Sequence, residues 1–337
     1  SEEVAGAQAA GRTRRRKRSL VSVGVVALLV IGALWLARGP LLAWIALNVP
    51  RLTGTSIDQK IAFAETSDGV RIAYATSGSG PPLVFVLGWG THLTEGMGSP
   101  LYDQSGFLSW HSREHRVVRY DGRGFGLSDR DVTDFSLDAR LRDLETVVDA
   151  LGLTRFDLYA FSAGGPTGIA YAARHPERVS RLVLAATYAG LQTDPERQRM
   201  LADLVRFAGT RWETPMGRAS FAEFLAPEAN DVQRRILMHF LGVAADGPQI
   251  LGFFRDTGAI DTSEEAGRID VPTLVAASDS DSAIPLAHSR RLASLIRNAR
   301  FEIIDGASHI GASGQDPRVM RLISDFLAAP VAPTTIR

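Results

Sequence analysis

The sequence predicts an α/β protein: a mostly parallel, doubly wound sheet with an inserted helical cap, preceded by one N-terminal transmembrane helix. Three observations predict it. Short apolar runs alternate with amphipathic helical patterns between residues 59 and 328, residues 190–270 carry helical patterns alone, and residues 19–37 contain no charged residue. Alternation of strand and helix is typical of a parallel sheet that helices cover on both faces.

The composition is that of a globular protein and excludes several kinds of site. Of the 337 residues, 45% are hydrophobic and 22% are charged, which suffices for one large domain or two small ones. Lys plus Arg and Asp plus Glu both number 37, so the net charge indicates no attraction to nucleic acid. The absence of cysteine excludes disulfides, thiolate catalysis and cysteine zinc sites.

Five histidines show no ligand spacing with carboxylates, and we therefore expect no metal. They are His111, His115, His175, His239 and His288. No P-loop and no strand-coupled G-x-G-x-x-G motif occurs, and we expect no other cofactor.

The N-terminal region has the pattern of a membrane anchor. A basic segment, residues 1–18, precedes the charge-free residues 19–37. As a helix rising ~1.5 Å per residue, residues 19–37 would be roughly 28 Å long, close to the ~30 Å hydrocarbon core of a bilayer. The basic flank predicts a cytoplasmic N-terminus and places everything after residue 37 outside the cytoplasm, by the positive-inside rule.

Two alternatives to an uncleaved signal-anchor remain open. A cleaved secretory or twin-arginine signal also begins with basic residues, but its apolar region is ~7–15 residues long and ends at a small-x-small site. No clear site of this kind follows residues 19–37. A soluble helix would show a polar face, which this segment lacks except at its basic end.

After a membrane-proximal linker, residues 38–58, the folded domain spans residues 59–328, and residues 329–337 form a tail. An antiparallel hairpin is predicted first, because IAFAE and VRIAYAT alternate in polarity on either side of residues 67–69. Buried strands are predicted at residues 83–87, 116–120, 156–160, 181–186, 273–277 and 301–305. Helices are predicted at residues 137–151, 163–174, 286–296 and 317–327.

Residues 190–270 are predicted to form a helical cap, because an insertion without strands lies outside the sheet. Its aromatic side chains could line an acyl pocket or fill the interior of the cap. Trp212 and Phe240 are our candidate pocket residues from the cap. His92, from the loop after residues 83–87, is a third candidate, and its alternative is a hydrogen-bonded loop histidine.

Ser162 is the candidate nucleophile. It follows the predicted strand at residues 156–160, precedes a predicted helix, and has the small residues Ala160, Ala163, Gly164 and Gly165 around it. A sharp strand-to-helix turn needs such small neighbours, and the pattern resembles the G-x-S-x-G nucleophile elbow. The helix N-terminus would favour a developing anion. The alternative is a serine that only caps the helix.

A general base and its orienting acid follow later strands. His309 comes just after residues 301–305, at the carboxyl edge of the predicted sheet, where catalytic groups of open α/β sheets collect. It would take the Ser162 proton. Asp281, after residues 273–277, is the predicted acid, and Asp279 is the alternative.

The oxyanion hole requires two main-chain N–H donors. Ala163, directly after the nucleophile, is predicted to supply one. The loop Gly88-Trp89-Gly90 is predicted to supply the other from Trp89, whose flanking glycines allow a close approach.

These motifs together resemble the α/β-hydrolase superfamily over residues 59–328. They are LGWG at 87–90, DGRGFGLSD at 121–129, FSAGG at 161–165, SDSDSAIP at 278–285 and ASH at 307–309. The order serine, aspartate, histidine matches that family. Leu87 stands where the family usually has histidine, and Ala160 stands where the elbow usually has glycine. The resemblance implies that DGRGFGLSD builds a turn.

The resemblance and the motifs predict a membrane-anchored serine esterase that acts on a small-molecule acyl substrate through an acyl-enzyme. Acyl transfer or perhydrolysis with the same triad, and a catalytically weak ligand-binding or sensor module, are the alternatives. The serine nucleophile distinguishes the chain from the dehalogenases and epoxide hydrolases of the superfamily, which attack with aspartate.

The predicted topology can be tested with a reporter fused after Arg337. We expect the reporter to be active only outside the cytoplasm and to sediment with membranes, because the positive-inside rule orients the anchor. Deletion of residues 19–37 should release the fusion from the membrane fraction. Reporter activity in the cytoplasm would contradict this topology.

Overall fold

The computed structural model describes residues 57–95, 106–191 and 194–330. The predicted N-terminus at 1–18, the transmembrane helix at 19–37 and nearly all of the linker and tail lie outside the described residues. Within the described part, no single helix is long and apolar enough to span a membrane. Two cap helices, Asp231–Ala244 and Gly247–Thr257, have the length and composition of a span only together, and they meet at 87°.

An eight-stranded sheet forms the centre of the molecule. In spatial order its strands run β1-β2-β4-β3-β5-β6-β7-β8. The strands are β1 (Lys60–Glu65), β2 (Arg71–Ser77), β3 (Pro82–Val86), β4 (Arg116–Tyr120), β5 (Phe156–Phe161), β6 (Val179–Ala185), β7 (Thr273–Ser278) and β8 (Ala299–Ile304). The hairpin β1–β2 and the pair β2–β4 are antiparallel, and all other pairs are parallel. The predicted mostly parallel sheet is therefore confirmed.

Helices cover both faces of the sheet. The chain forms α1 (Phe107–His111), α2 (Leu137–Ala150), α3 (Gly165–Arg174), α9 (Leu286–Leu295) and α10 (Pro317–Ala328) around it. An apolar layer lies on each face of the sheet, and successive side chains of β3 point into opposite layers because side chains alternate along a strand. Val84 belongs to the apolar layer that includes side chains of α2, α3 and α9, whereas Leu83 belongs to the layer that includes side chains of α1 and α10.

Four helices make the cap between β6 and β7: α4 (Pro195–Gly209), α5 (Pro215–Leu225), α6 (Asp231–Ala244) and α7 (Gly247–Thr257). A further helix, α8 (Ser263–Gly267), follows the cap, and its Ala266 belongs to the apolar layer that contains α3. Polar side chains cap the N-termini of the first three cap helices. Asp194 caps α4, Thr214 caps α5, and Asn230 caps α6 in a capping box with Gln233. One isolated bridge, between Gly190 and Asp261, joins the two ends of the insertion.

His111 of α1 is a buried titratable group on the sheet face opposite α2 and α3. Its side chain is only 1% exposed, and its ring meets Phe107 edge-on at 4.7 Å. Burial, with a smaller contribution from His115, lowers the pKa of His111 from 6.5 to about 4. The folded protein therefore holds this imidazole neutral.

This burial predicts a loss of stability in acid. Below pH 6.5 the unfolded chain binds a proton at His111 that the folded chain does not bind until about pH 4, so the free energy of unfolding falls as the pH drops between these values. A shift of this size corresponds to roughly 3 kcal/mol at most. The free energy of unfolding can be measured by denaturant titration at several pH values between 4 and 6.5. It should depend less steeply on pH in His111→Phe than in the wild type. His175→Gln, which changes a partly exposed histidine, should retain the slope. Equal slopes in His111→Phe and wild type would contradict the prediction.

Candidate active site

Ser162 lies in a strained turn between β5 and α3. Its φ is 53°, and only one other non-glycine residue in the described part of the chain, Ala186, has a positive φ. One turn of 3₁₀ helix, Ser162–Gly164, precedes Gly165–Arg174, so the helix predicted from residue 163 begins with a tighter turn. Strain of this kind costs ~1–3 kcal/mol and is concentrated at functional sites.

Three glycines make room for this turn. A Cβ at Gly164 would clash with the carbonyl oxygen of Val86, and one at Gly165 would clash with the Thr187 hydroxyl. A Cβ at Gly168 would lie 2.6 Å from the methyl group of Ala160. The alanine that stands at the usual elbow glycine is therefore accommodated because Gly168, opposite it, has no side chain.

The three predicted triad side chains lie in one hydrogen-bonded chain. His309 Nδ1 donates to Asp281, at 2.8 Å from Oδ2 and 3.0 Å from Oδ1, and Nε2 lies 3.0 Å from Ser162 Oγ. With its proton on Nδ1, the neutral imidazole accepts the Ser162 hydroxyl proton at Nε2. Ser162 is 9% exposed, His309 2% and Asp281 7%, so little water competes for these bonds.

The loop after β7 fixes the acid. Asp281 Oδ1 accepts hydrogen bonds from the main-chain N–H groups of Ala283 and Ile284, both at 2.8 Å. Asp279, the alternative acid, is bound elsewhere. Its Oδ1 accepts from Gly306 N at 2.8 Å, which, with a bond from Ser280, keeps the pKa of Asp279 below its usual value. Asp281 is thus the carboxylate that contacts His309.

Two further contacts orient the loop that carries His309. The Phe161 ring lies 4.8 Å from the His309 ring, centroid to centroid. The Tyr159 hydroxyl donates to the main-chain oxygen of Ser313 at 2.8 Å. Both residues come from β5. No local sequence pattern indicates either contact, because each depends on how the loop folds back over the sheet.

The loop that follows β3 lies against the start of α3. Gly88 and Gly90 have φ values of 85° and 62°, which glycine adopts without strain. A Cβ at Gly88 would lie 2.7 Å from Gly164 N, so a larger residue does not fit there. Trp89 and Ala163, the predicted oxyanion donors, both border the same cavity as Ser162.

Asp121 holds the loop that follows β3 through a hydrogen bond to its side chain. Its Oδ2 accepts hydrogen bonds from Leu93 N at 3.1 Å and Leu127 N at 2.9 Å, so one oxygen joins the loop after β3 to the DGRGFGLSD turn. Burial is the largest influence on Asp121 and raises its pKa to about 6, although both hydrogen bonds oppose the shift. Ser128 Oγ, which donates to Asp121 O, also accepts from Ala73 N at 2.8 Å. The motif therefore builds a turn.

Two cavities open at Ser162, and two of the three candidate pocket residues line one of them. His92 and Phe240 border the larger cavity. The His92 Nδ1 also lies 3.3 Å from Glu95 N, so this histidine is hydrogen-bonded within its loop as well. Trp212 borders neither cavity. It is 1% exposed, donates from Nε1 to Ala245 O at 2.7 Å, and belongs to the interior of the cap.

No group of three or more His, Cys, Asp or Glu side chains within residues 57–95, 106–191 and 194–330 is arranged to hold a metal ion.

The chain is similar to known hydrolases and haloperoxidases. A family model described as the alpha/beta hydrolase fold matches residues 81–312. A non-heme haloperoxidase of Rhodococcus erythropolis is 30% identical over 263 residues, which cover 73% of this chain and 92% of that protein. A putative carbamate hydrolase RutD of Caulobacter sp. (strain K31) is 31% identical over 204 residues, which cover 58% of this chain and 74% of that protein.

Solved structures agree with this similarity. The enol-lactonase from Burkholderia xenovorans LB400 superposes with a TM-score of 0.65 at 26% identity, and the match covers 80% of this chain and 100% of that one. The esterase RhEst1 from Rhodococcus sp. ECU1013 superposes with a TM-score of 0.68 at 21% identity, covering 81% and 99% of the two chains, and shows a shared fold alone.

The geometry predicts unequal effects at the two aspartates. Asp281→Asn should slow the reaction of Ser162 with a fluorophosphonate by on the order of 10³-fold or more, because an amide that donates to Nδ1 selects the wrong imidazole tautomer. Asp279→Asn should change the rate by less than about threefold, because Asp279 contacts only loop atoms. The measurement is the second-order labelling rate of each variant. A larger loss in Asp279→Asn would contradict the assignment of the acid.

Proposed function

Because this chain belongs to the α/β-hydrolase fold family, we propose that it is a serine hydrolase that cleaves a carboxylic ester or related acyl compound. The observation that carries the proposal is the buried hydrogen-bonded chain from Asp281 through His309 to Ser162. The positive φ of Ser162 adds to it, because a strained elbow holds Oγ in position for attack.

In the acylation step, Ser162 Oγ attacks the carbonyl carbon of the substrate while His309 Nε2 takes the hydroxyl proton. Asp281 stabilises the imidazolium that forms and keeps it oriented. The negative charge on the carbonyl oxygen is stabilised by the main-chain N–H groups of Trp89 and Ala163, together with the positive end of α3. The bond to the leaving group then breaks, and His309 protonates the departing oxygen.

In the deacylation step, water takes the place of the leaving group. His309 removes a proton from the water as its oxygen attacks the acyl carbon, and the bond between this carbon and Ser162 Oγ breaks. The proton on His309 returns to Oγ, which restores the resting enzyme. Transfer of the acyl group to another alcohol would follow the same steps with a different nucleophile.

A second candidate reaction is perhydrolysis, which is favoured by the similarity to a non-heme haloperoxidase. Hydrogen peroxide would attack the acyl carbon in place of water, and His309 would accept the peroxide proton. The bond between the acyl carbon and Ser162 Oγ would break, the proton on His309 would pass to Oγ, and a peroxycarboxylic acid would leave. The same side chains serve both reactions, so the nucleophile that reaches the acyl-enzyme decides between them.

The proposed location is the outer face of a membrane, with residues 19–37 as the anchor. The support is the uncharged run behind a basic segment in the sequence. The substrate would then reach the enzyme outside the cytoplasm.

The proposed nucleophile can be tested by intact-mass analysis of the full chain in mild detergent, with and without a fluorophosphonate probe. We expect one phosphonyl adduct on the wild type and none on Ser162→Ala, because Oγ–H is the activated hydroxyl. Circular dichroism would verify that both proteins are folded. A folded wild type that stays unlabelled would overturn the proposed hydrolase and favour a ligand-binding module.

A further inference from the structure

The loop after β7, which carries Asp281, lies against the cap. Arg197 of α4 donates from Nη2 to the main-chain oxygens of Ser282 and Ala283, at 2.8 Å from the latter. The Ser282 hydroxyl donates to the main-chain oxygen of Phe224 in α5 at 2.9 Å. Two cap helices therefore hold the residues that follow directly after Asp281.

The carbonyl groups that Arg197 binds belong to the same two peptide groups that bind Asp281. One peptide group joins Ser282 to Ala283. Its oxygen accepts from Arg197, and its N–H donates to Asp281 Oδ1 at 2.8 Å. The next peptide group joins Ala283 to Ile284. Its oxygen accepts from Arg197 at 2.8 Å, and its N–H donates to the same Oδ1 at 2.8 Å. Because a peptide group is planar and its C=O and N–H point in opposite directions, each group connects the guanidinium to the carboxylate as a rigid unit.

The charge of Arg197 strengthens this connection. A charged donor makes a stronger hydrogen bond than a neutral donor, and hydrogen bonds in series polarise one another. The guanidinium thus makes the two N–H groups better donors to the carboxylate. Asp281 is only 7% exposed, and its Oδ2 lies 2.8 Å from His309 Nδ1. A shift of the two peptide groups would therefore change how the carboxylate faces the imidazole.

The side chain of Arg197 is itself fixed within the cap. Asp194 caps α4, and its Oδ1 accepts from Arg197 N at 3.0 Å. The guanidinium lies 6.0 Å from the centre of the Phe224 ring. Burial is the largest influence on Arg197 and lowers its pKa, although Asp194 and Asp281 oppose the shift. Arginine stays charged at neutral pH, so the cap presents a fixed cation to the loop.

We propose that Arg197 is a positioning residue for the acid of the triad. It holds the carbonyl ends of the two peptide groups whose N–H ends hold Asp281, so the position of the cap sets the direction in which the carboxylate faces His309. This inference rests on the proposed serine hydrolase. It makes the reactivity of Ser162 depend on a residue that lies outside the sheet and its loops.

The role of Arg197 is tested by the second-order rate at which a fluorophosphonate labels Ser162 in the full chain. We expect Arg197→Met to lose roughly 10- to 100-fold, because a small misplacement of a catalytic group costs rates of this order. Arg197→Lys, which keeps the charge but not the planar fork, should lose about threefold to tenfold. Arg199→Met, which removes an exposed arginine from the same helix, is the matched control and should keep the wild-type rate.

A double-mutant cycle with Asp281→Asn distinguishes positioning of the acid from other effects. Arg197 also borders the smaller cavity at Ser162, so its loss could slow the reaction through contact with the probe instead. If Arg197 acts through the carboxylate, Arg197→Met should change the labelling rate of Asp281→Asn by less than about twofold, because the carboxylate is already absent. An effect through the cavity would instead multiply with that of Asp281→Asn.

The outcomes separate this inference from the proposed function. A folded wild type that the probe does not label would overturn the serine hydrolase itself. A wild type that is labelled, but whose rate is unchanged in Arg197→Met, would overturn the positioning role of Arg197 alone, and so would losses that multiply in the double variant. Circular dichroism verifies the fold of each variant, and Arg197→Lys takes the place of Arg197→Met in the cycle if the methionine variant does not fold.

Discussion

The rest of the active site depends on the positive φ of Ser162. A residue in this conformation at the end of a strand turns the chain sharply, and the turn leaves no space for a side chain at Gly164 or Gly165. The same packing brings Gly88 against the nitrogen of Gly164, so the loop after β3 can approach only as a glycine-flanked segment. The position of the Ser162 hydroxyl and the position of the loop after β3 therefore depend on the same turn.

The order of the strands brings the remaining groups to this turn. Because β5, β6, β7 and β8 are parallel neighbours, the loops at their carboxyl ends lie along one edge of the sheet. Asp281 and His309 stand on two of these loops and Ser162 on a third. Hydrogen bonds within the loops, from Ala283 and Ile284 to Asp281, then fix the carboxylate in its buried position. The parallel strands thus bring Ser162, Asp281 and His309 close together, and hydrogen bonds within the loops orient the Asp281 carboxylate.

The sequence was informative where local patterns decide the structure. Short apolar runs indicated the parallel strands, and small residues around Ser162 indicated the elbow. The choice of Asp281 over Asp279 rested on spacing, and the structure gives the reason in the different partners of the two carboxylates. The position of Trp212 could not be predicted in this way, because aromatic residues in a helical pattern look alike whether they face a cavity or the interior of the cap. The position of the Trp89 ring depends on contacts with α5 and α7, which no local pattern records.

The cap joins the sheet through a narrow neck. Gly190 pairs with Asp261, and Thr262 N donates to Ala189 O at 2.9 Å, so the inserted segment leaves and rejoins the sheet at adjacent points. An insertion with adjacent ends can change in length or sequence without displacing the strands beside it. Changes in the cap that keep Arg197 can thus alter the walls of the cavities at Ser162 while Ser162, His309 and Asp281 stay on the loops of the sheet: the fold allows the shape of the cavity and the hydrogen-bonded chain beside it to vary independently.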